Sequence, residues 1–162
     1  MALTPEQLLA KFDELGIETE THEHAPVFTV AESKRLRGAL AGGHCKALFL
    51  KDKKGALWLV VTLEDRAIDM KALRRTIGAA PLSFARPELL EDVLGITPGT
   101  VTPFALVNDT EMRVRVVLDA AMMDETVLNY HPLTNAATTS ISPAGLLAFI
   151  RACGHEPAIL AL

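Results

Sequence analysis

The stretch Gly43-His44-Cys45-Lys46-Ala47-Leu48-Phe49-Leu50-Lys51-Asp52-Lys53-Lys54-Gly55-Ala56-Leu57-Trp58-Leu59-Val60-Val61-Thr62-Leu63 decides the fold. It holds two apolar runs, Cys45–Leu50 and Ala56–Leu63, joined by the charged, glycine-containing segment Lys51–Gly55, the composition of a hairpin turn. Two adjacent antiparallel strands are expected. One residue does not fit the apolar pattern. An ammonium group inside a buried strand is costly unless an anion or a carbonyl meets it, and Lys46 stands there. No acidic residue lies within eight positions on its N-terminal side, and Asp52 falls beyond the run, so a ligand is a candidate partner.

Toward the N-terminus, Gly38, Gly42 and Gly43 form a loop that delivers the chain to Lys46. Thr29 with Glu32 caps a short helix running through Arg37, and Ile17–His24 alternates as a strand does before Pro26 breaks it. Thr4-Pro5-Glu6-Gln7 gives a cap, a first-turn proline and a capping-box Gln to a first helix carrying Leu8, Leu9, Phe12 and Leu15, ended by Gly16. Toward the C-terminus, Asp69–Ile77 reads as a basic amphipathic helix, Leu82–Ala85 as a short strand and Arg86–Leu94 as a helix stopped by Gly95. Phe104–Val107, Val114–Leu118, Thr126–Tyr130 and Thr138–Ile141 read as strands, and a last helix runs from Ser142-Pro143 to Gly154. The expected fold is α+β: one domain over residues 1–162, with a mixed, largely antiparallel sheet flanked by helices.

Bulk composition narrows the function. With 162 residues and 49% hydrophobic content the chain can bury a real core. A net charge of -4 and a pI near 5.7 argue against wholesale capture of nucleic acid, although one end of a nucleic acid can be gripped locally. Lys34, Arg35, Arg37, Arg74 and Arg75 are local basic candidates for that grip. Cys45 and Cys153 match neither a zinc pattern nor a disulfide framework, so a reducing cytoplasm fits, and no apolar stretch approaches the roughly 20 residues that span a bilayer. GxSxG, HExxH, Walker and GxGxxG signatures are absent, which leaves ATP, dinucleotide and serine-hydrolase chemistry without support.

Three features carry chemistry. Lys46 is the first, with His44 and Leu48 on its face by strand alternation, while Cys45 reads as a small core residue. Gly99-Thr100-Val101-Thr102-Pro103 is the second. Its glycine permits close approach of a ligand to backbone N–H groups, and its proline fixes the exit, although a simple turn has the same composition. Third, Asn129-Tyr130-His131-Pro132 through Thr138 and Ser140 is dense in hydrogen-bonding groups, serving either as a capped turn or as orienting groups for a polar substrate. His22 and His24 read as an exposed strand face, with no third ligand to suggest a metal site.

In this order and at these separations the three features resemble the YbaK/ProX family, stand-alone relatives of the editing domain inserted in bacterial prolyl-tRNA synthetase. The likeness spans nearly the whole chain. The segment from Asn129 to Ser140 is most similar to the alanine-directed branch. The resemblance implies a partly curled sheet and, without a cofactor, hydrolysis of the ester joining an amino acid to the terminal adenosine of tRNA(Pro). Alanine is the expected amino acid and cysteine the alternative. A non-catalytic module holding an aminoacyl or nucleotide group is the competing class. The implied site comprises Lys46 near the terminal phosphate and ester, Gly99 beside the reacting carbonyl, and His131 at the pocket. Thr100, Val101, Thr102, Pro103, Thr138 and Ser140 are the implied substrate contacts, and Val30, Leu48, Tyr130 and His131 are candidates for the wall of a small pocket that selects by size. The ribose 2′-OH is implied to help activate water, since no side chain stands out as a general base. The expected partner is the aminoacylated acceptor end, with prolyl-tRNA synthetase or an elongation factor as a further candidate and no DNA or membrane.

Overall fold

A computed structural model describes residues 2–24 and 42–162. The expected helix from Thr29 to Arg37, together with Val30, Lys34, Arg35, Arg37 and Gly38, lies outside them. Among the described residues the elements are α1 (Pro5–Leu15), β1 (Thr19–Glu23), β2 (Gly43–Asp52), β3 (Leu57–Leu63), α2 (Met70–Ile77), β4 (Leu82–Phe84), α3 (Pro87–Leu94), β5 (Val114–Asp119), β6 (Leu128–Tyr130), β7 (Ala137–Ile141), α4 (Pro143–Ala152) and β8 (Ala158–Leu160). The start of α1 is the expected capping box: the Thr4 hydroxyl accepts from the Gln7 amide at 3.2 Å, and the Gln7 side chain accepts from the Thr4 amide at 2.9 Å.

The fold is α+β with an open, mixed sheet. Its strands run in the order β1-β7-β6-β2-β3-β5-β8, with β4 also on β2. β2 and β3 form the expected antiparallel hairpin, with Lys46 opposite Thr62. Three neighbours are parallel: β2 with β6, β3 with β5 and β5 with β8. Phe104–Val107, expected as a strand, is instead part of a 3-10 helix over Pro103–Asn108. Proline at its first position presets the helical φ, and the Thr102 hydroxyl accepts from the Phe104 amide at 3.3 Å. No helix among the described residues is long and apolar enough to cross a membrane.

Alternation along the strands gives the sheet two faces with different neighbours. On the first, Phe49, Leu59, Val61, Val116, Leu118, Leu128 and Ile141 pack against α1, α3, α4 and the 3-10 helix. Phe12, Phe104, Phe149 and Tyr130 tie these layers together, with ring centroids 5.0 to 5.6 Å apart. On the second face Leu50, Trp58, Val60 and Val117 lie under Leu73 of α2, with Leu48 packed against them. This apolar cover is confined to one half of the second face. The other half carries Lys46, Thr62 and Asp119, continued across β6 and β7 by Asn129, Thr138 and Ser140.

Candidate active site

Lys46 is half-buried, and its ammonium donates to the Arg66 carbonyl at 2.7 Å. A backbone carbonyl thus meets part of the demand that the sequence raises. An ammonium has three N–H donors, and the Arg66 carbonyl is the one acceptor it meets among the described residues. Arg66 sits at the end of a tight turn after β3, where its own amide donates to the Leu63 carbonyl at 3.1 Å. Its guanidinium Nε lies 3.1 Å from Oδ2 of Asp119, a fully buried carboxylate that also accepts from the Thr62 hydroxyl at 2.6 Å. Arg66, Asp119 and Thr62 have no sequence signal, because a carbonyl acceptor is anonymous and the partners are far apart in the chain.

The same turn reaches the histidines. Glu64, two residues before Arg66, donates its amide to the His44 carbonyl at 2.8 Å, and its carboxylate acts electrostatically on His131. Burial depresses the His131 pKa below its ordinary value of 6.5, and the charge of a protonated His24 would push the same way. The Ala137 carbonyl and Glu64 oppose both without reversing them. At neutral pH the ring is therefore uncharged. Its Nδ1 faces the Ala137 carbonyl at 3.1 Å, and a carbonyl only accepts, which puts the proton on Nδ1 and a lone pair on Nε2.

Thr138 and Ser140 extend this polar surface. The Thr138 hydroxyl is 2.9 Å from Nε2 of His24, so His24 is part of the surface and not the bystander its sequence position suggests. Ser140 donates to Oδ1 of Asn129 at 2.6 Å, and Asn129 donates onward to the Gly43 carbonyl at 3.2 Å. Leu48 borders the surface between Lys46 and the residues under α2.

Tyr130 is a different matter. It points into the core on the first face, with its ring 5.4 Å from Phe104 and its hydroxyl 3.2 Å from the Met122 sulfur. The structure gives it packing work and no place beside the Lys46 ammonium. Its neighbour Cys45 shares that environment, and burial pushes the Cys45 thiol up to about 11, leaving it protonated and unreactive at neutral pH.

The Gly99 loop opens as a 3-10 turn over Pro98–Thr100. Thr100 turns its hydroxyl onto the Thr97 carbonyl at 3.1 Å, Thr102 and Pro103 are buried, and Val101 packs on the main core. The amides of Val101 and Thr102 have no acceptor among the described residues. No side-chain bond joins the loop to Lys46. Its exit is anchored on the core face instead, where the Phe104 ring meets edge-on the ring of Tyr130, the residue before His131. Gly99 is exposed, and a Cβ added there would meet nothing within 4 Å.

An open groove of about 720 Å³ lies elsewhere, lined by Lys51, Phe84, Arg86 and Leu89 among others. Five residues of strand, about 17 Å, separate Lys51 from Lys46, so this groove is distinct from the polar surface.

Comparison with known proteins identifies the family. The profile of the aminoacyl-tRNA editing domain matches residues 24–149. Prolyl-tRNA synthetase associated domain-containing protein 1 of Danio rerio is 41% identical over 165 residues, covering 98% of this chain and 90% of its own. Prolyl-tRNA editing protein ProX of Acetoanaerobium sticklandii is 37% identical over 149 residues, covering 91% of each chain. A crystal structure described as that of a candidate trans-editing enzyme for prolyl-tRNA synthetase superposes with a TM-score of 0.74 at 23% identity, covering 99% of each chain, and shows the same fold. The chain belongs to the aminoacyl-tRNA editing domain family and is a deacylase, a hydrolase of the ester that joins an amino acid to tRNA.

Proposed function

We propose that this deacylase acts in trans on mischarged tRNA(Pro) and that alanine is the amino acid it removes. The observation that carries the reading is the Lys46 ammonium, held at 2.7 Å on the Arg66 carbonyl with no second acceptor among the described residues, on the polar half of a sheet face. A compact cation in that position suits the phosphate and ester at the 3′ end of tRNA. Ester hydrolysis then needs a stabilised oxyanion, a positioned carbonyl and an activated water. The Val101 and Thr102 amides, with no acceptor among the described residues, are the donors we assign to the oxyanion. His131 supplies through Nε2 a neutral acceptor for a proton from water or from the ribose 2′-OH. Thr138 and Ser140 complete the hydrogen-bonding surface, and Leu48 is the residue we assign to the wall that limits side-chain size.

The net charge of -4 restricts the grip to the acceptor end, because affinity for a polyanion grows with the phosphates neutralised. We therefore assign delivery of the tRNA in the cytoplasm to prolyl-tRNA synthetase or an elongation factor. The deciding experiment is a deacylation panel of alanyl-, cysteinyl-, seryl-, threonyl- and prolyl-tRNA(Pro). Alanyl-tRNA(Pro) should turn over fastest, and Lys46→Ala should abolish turnover while retaining a cooperative melt. Faster cysteinyl release would reassign the substrate. Saturable binding without release of any amino acid would make the chain a binding module.

A further inference from the structure

Asp119 is fully buried, yet it is a carboxylate, and a buried ion pair is no more stabilising than apolar packing of the same volume. Stability alone gives no reason for it. What it does is hold things in place. Its Oδ2 takes two donors, the Thr62 hydroxyl at 2.6 Å and the Arg66 Nε at 3.1 Å, while Oδ1 lies 3.3 Å from the Ala121 amide. Arg66 is thereby tied to the end of β5 by its side chain and to Leu63 by its backbone, with 3.1 Å in each case. The group delivered by this double tie is the Arg66 carbonyl, the one that meets the Lys46 ammonium.

Lysine ends in a long, freely rotating stem, so a catalytic anchor built on it loses entropy unless the ammonium is already held. On the reading that Lys46 anchors the substrate, we infer that Arg66 and Asp119 are positioning residues. They fix a backbone carbonyl that parks the ammonium, orienting its remaining donors toward the 3′ end. Arg66 need not touch the substrate for this. Its side chain, 38% exposed, is the tether of the device, and its carbonyl is the working part.

The test compares wild type, Arg66→Ala, Arg66→Lys, Lys46→Met and the Arg66→Ala/Lys46→Met double variant. The first readout is the ¹⁵N–¹H signal of the Lys46 ammonium, which a held group shows and a freely exchanging one loses. Arg66→Ala should lose it and Arg66→Lys should keep it in part, whether or not the protein edits tRNA. The second is affinity for an acceptor-stem minihelix bearing amide-linked alanine at its 3′ adenosine. Arg66→Ala should weaken binding roughly tenfold in the wild-type background and not at all in the Lys46→Met background, as for two residues acting through one contact. An additive loss would make Arg66 a direct ligand and overturn the inference, as would an ammonium signal that survives Arg66→Ala. Should that variant melt before assay, Asp119→Asn takes its place under the same criteria. If Lys46→Met binds and deacylates as wild type does, the functional reading fails, while the ammonium signal still reports on the clasp.

Discussion

Gly99→Ala should raise the stability of the protein and cut its activity about a hundredfold. Gly99 is absent from the glycines with positive φ, and a Cβ built on it has no atom within 4 Å, so neither backbone strain nor packing demands a glycine there. Replacing glycine by alanine at such a position stabilises by about 0.4–1 kcal/mol, because the unfolded chain loses freedom. For a chain of this length that is a rise in Tm of roughly 1–4 °C. The new methyl projects about 1.5 Å into the space where an ester carbonyl would approach the loop. Displacing a reacting group by ~1 Å costs on the order of 10²-fold in rate. Differential scanning calorimetry and single-turnover deacylation of alanyl-tRNA(Pro) read the two quantities separately. Wild-type kcat/KM in a protein whose Tm is unchanged or raised would mean that substrate never comes within a methyl's reach of Gly99, and the loop would lose its role.

Two further outcomes follow from the geometry around the site. Because the fold holds His131 below its ordinary pKa of 6.5, deacylation should persist as pH falls through 6.5 and decline only at the lower folded-state value, and His131→Asn should flatten that acid limb. The same sign governs stability: the neutral ring's contribution is complete above 6.5 and is lost as pH drops through the depressed pKa, so an acid limb centred at or above 6.5 would refute the assignment. Gly42→Ala should destabilise the entry to β2, since φ there is +97° and a Cβ would stand 2.6 Å from the Val127 carbonyl oxygen. A loss of about 2–4 kcal/mol is expected, seen as a Tm lower by roughly 5–15 °C, and an unchanged melt would contradict it.

Much of the architecture is legible in the sequence because it is local. The capping box at Thr4, the glycine ends at Gly16 and Gly95 and the Lys51–Gly55 hairpin all rest on neighbours within a few residues. The parallel pairings of β2 with β6 and β3 with β5 leave no such trace, because their partners are contributed by distant segments. Phe104–Val107 reads as a strand from its apolar run and is a 3-10 helix instead, because Thr102 and Pro103 just before it cap and preset a helical turn. Lys46 announces its need for a partner. It cannot announce which one, since Arg66 answers with a backbone carbonyl and Asp119 stands behind it 53 positions later in the chain. Tyr130 and His131 are adjacent, yet one residue of strand separates a core-facing ring from a surface one.

That one-residue offset runs along the whole of β2. Cys45, Ala47 and Phe49 answer to the main core, while His44, Lys46 and Leu48 answer to the opposite face. Packing and chemistry are therefore carried by alternate residues at the start of one strand. The chemistry can be altered at His44 and Lys46 while Cys45, Ala47 and Phe49 on one face, and Leu48 and Leu50 farther along the other, keep the strand packed.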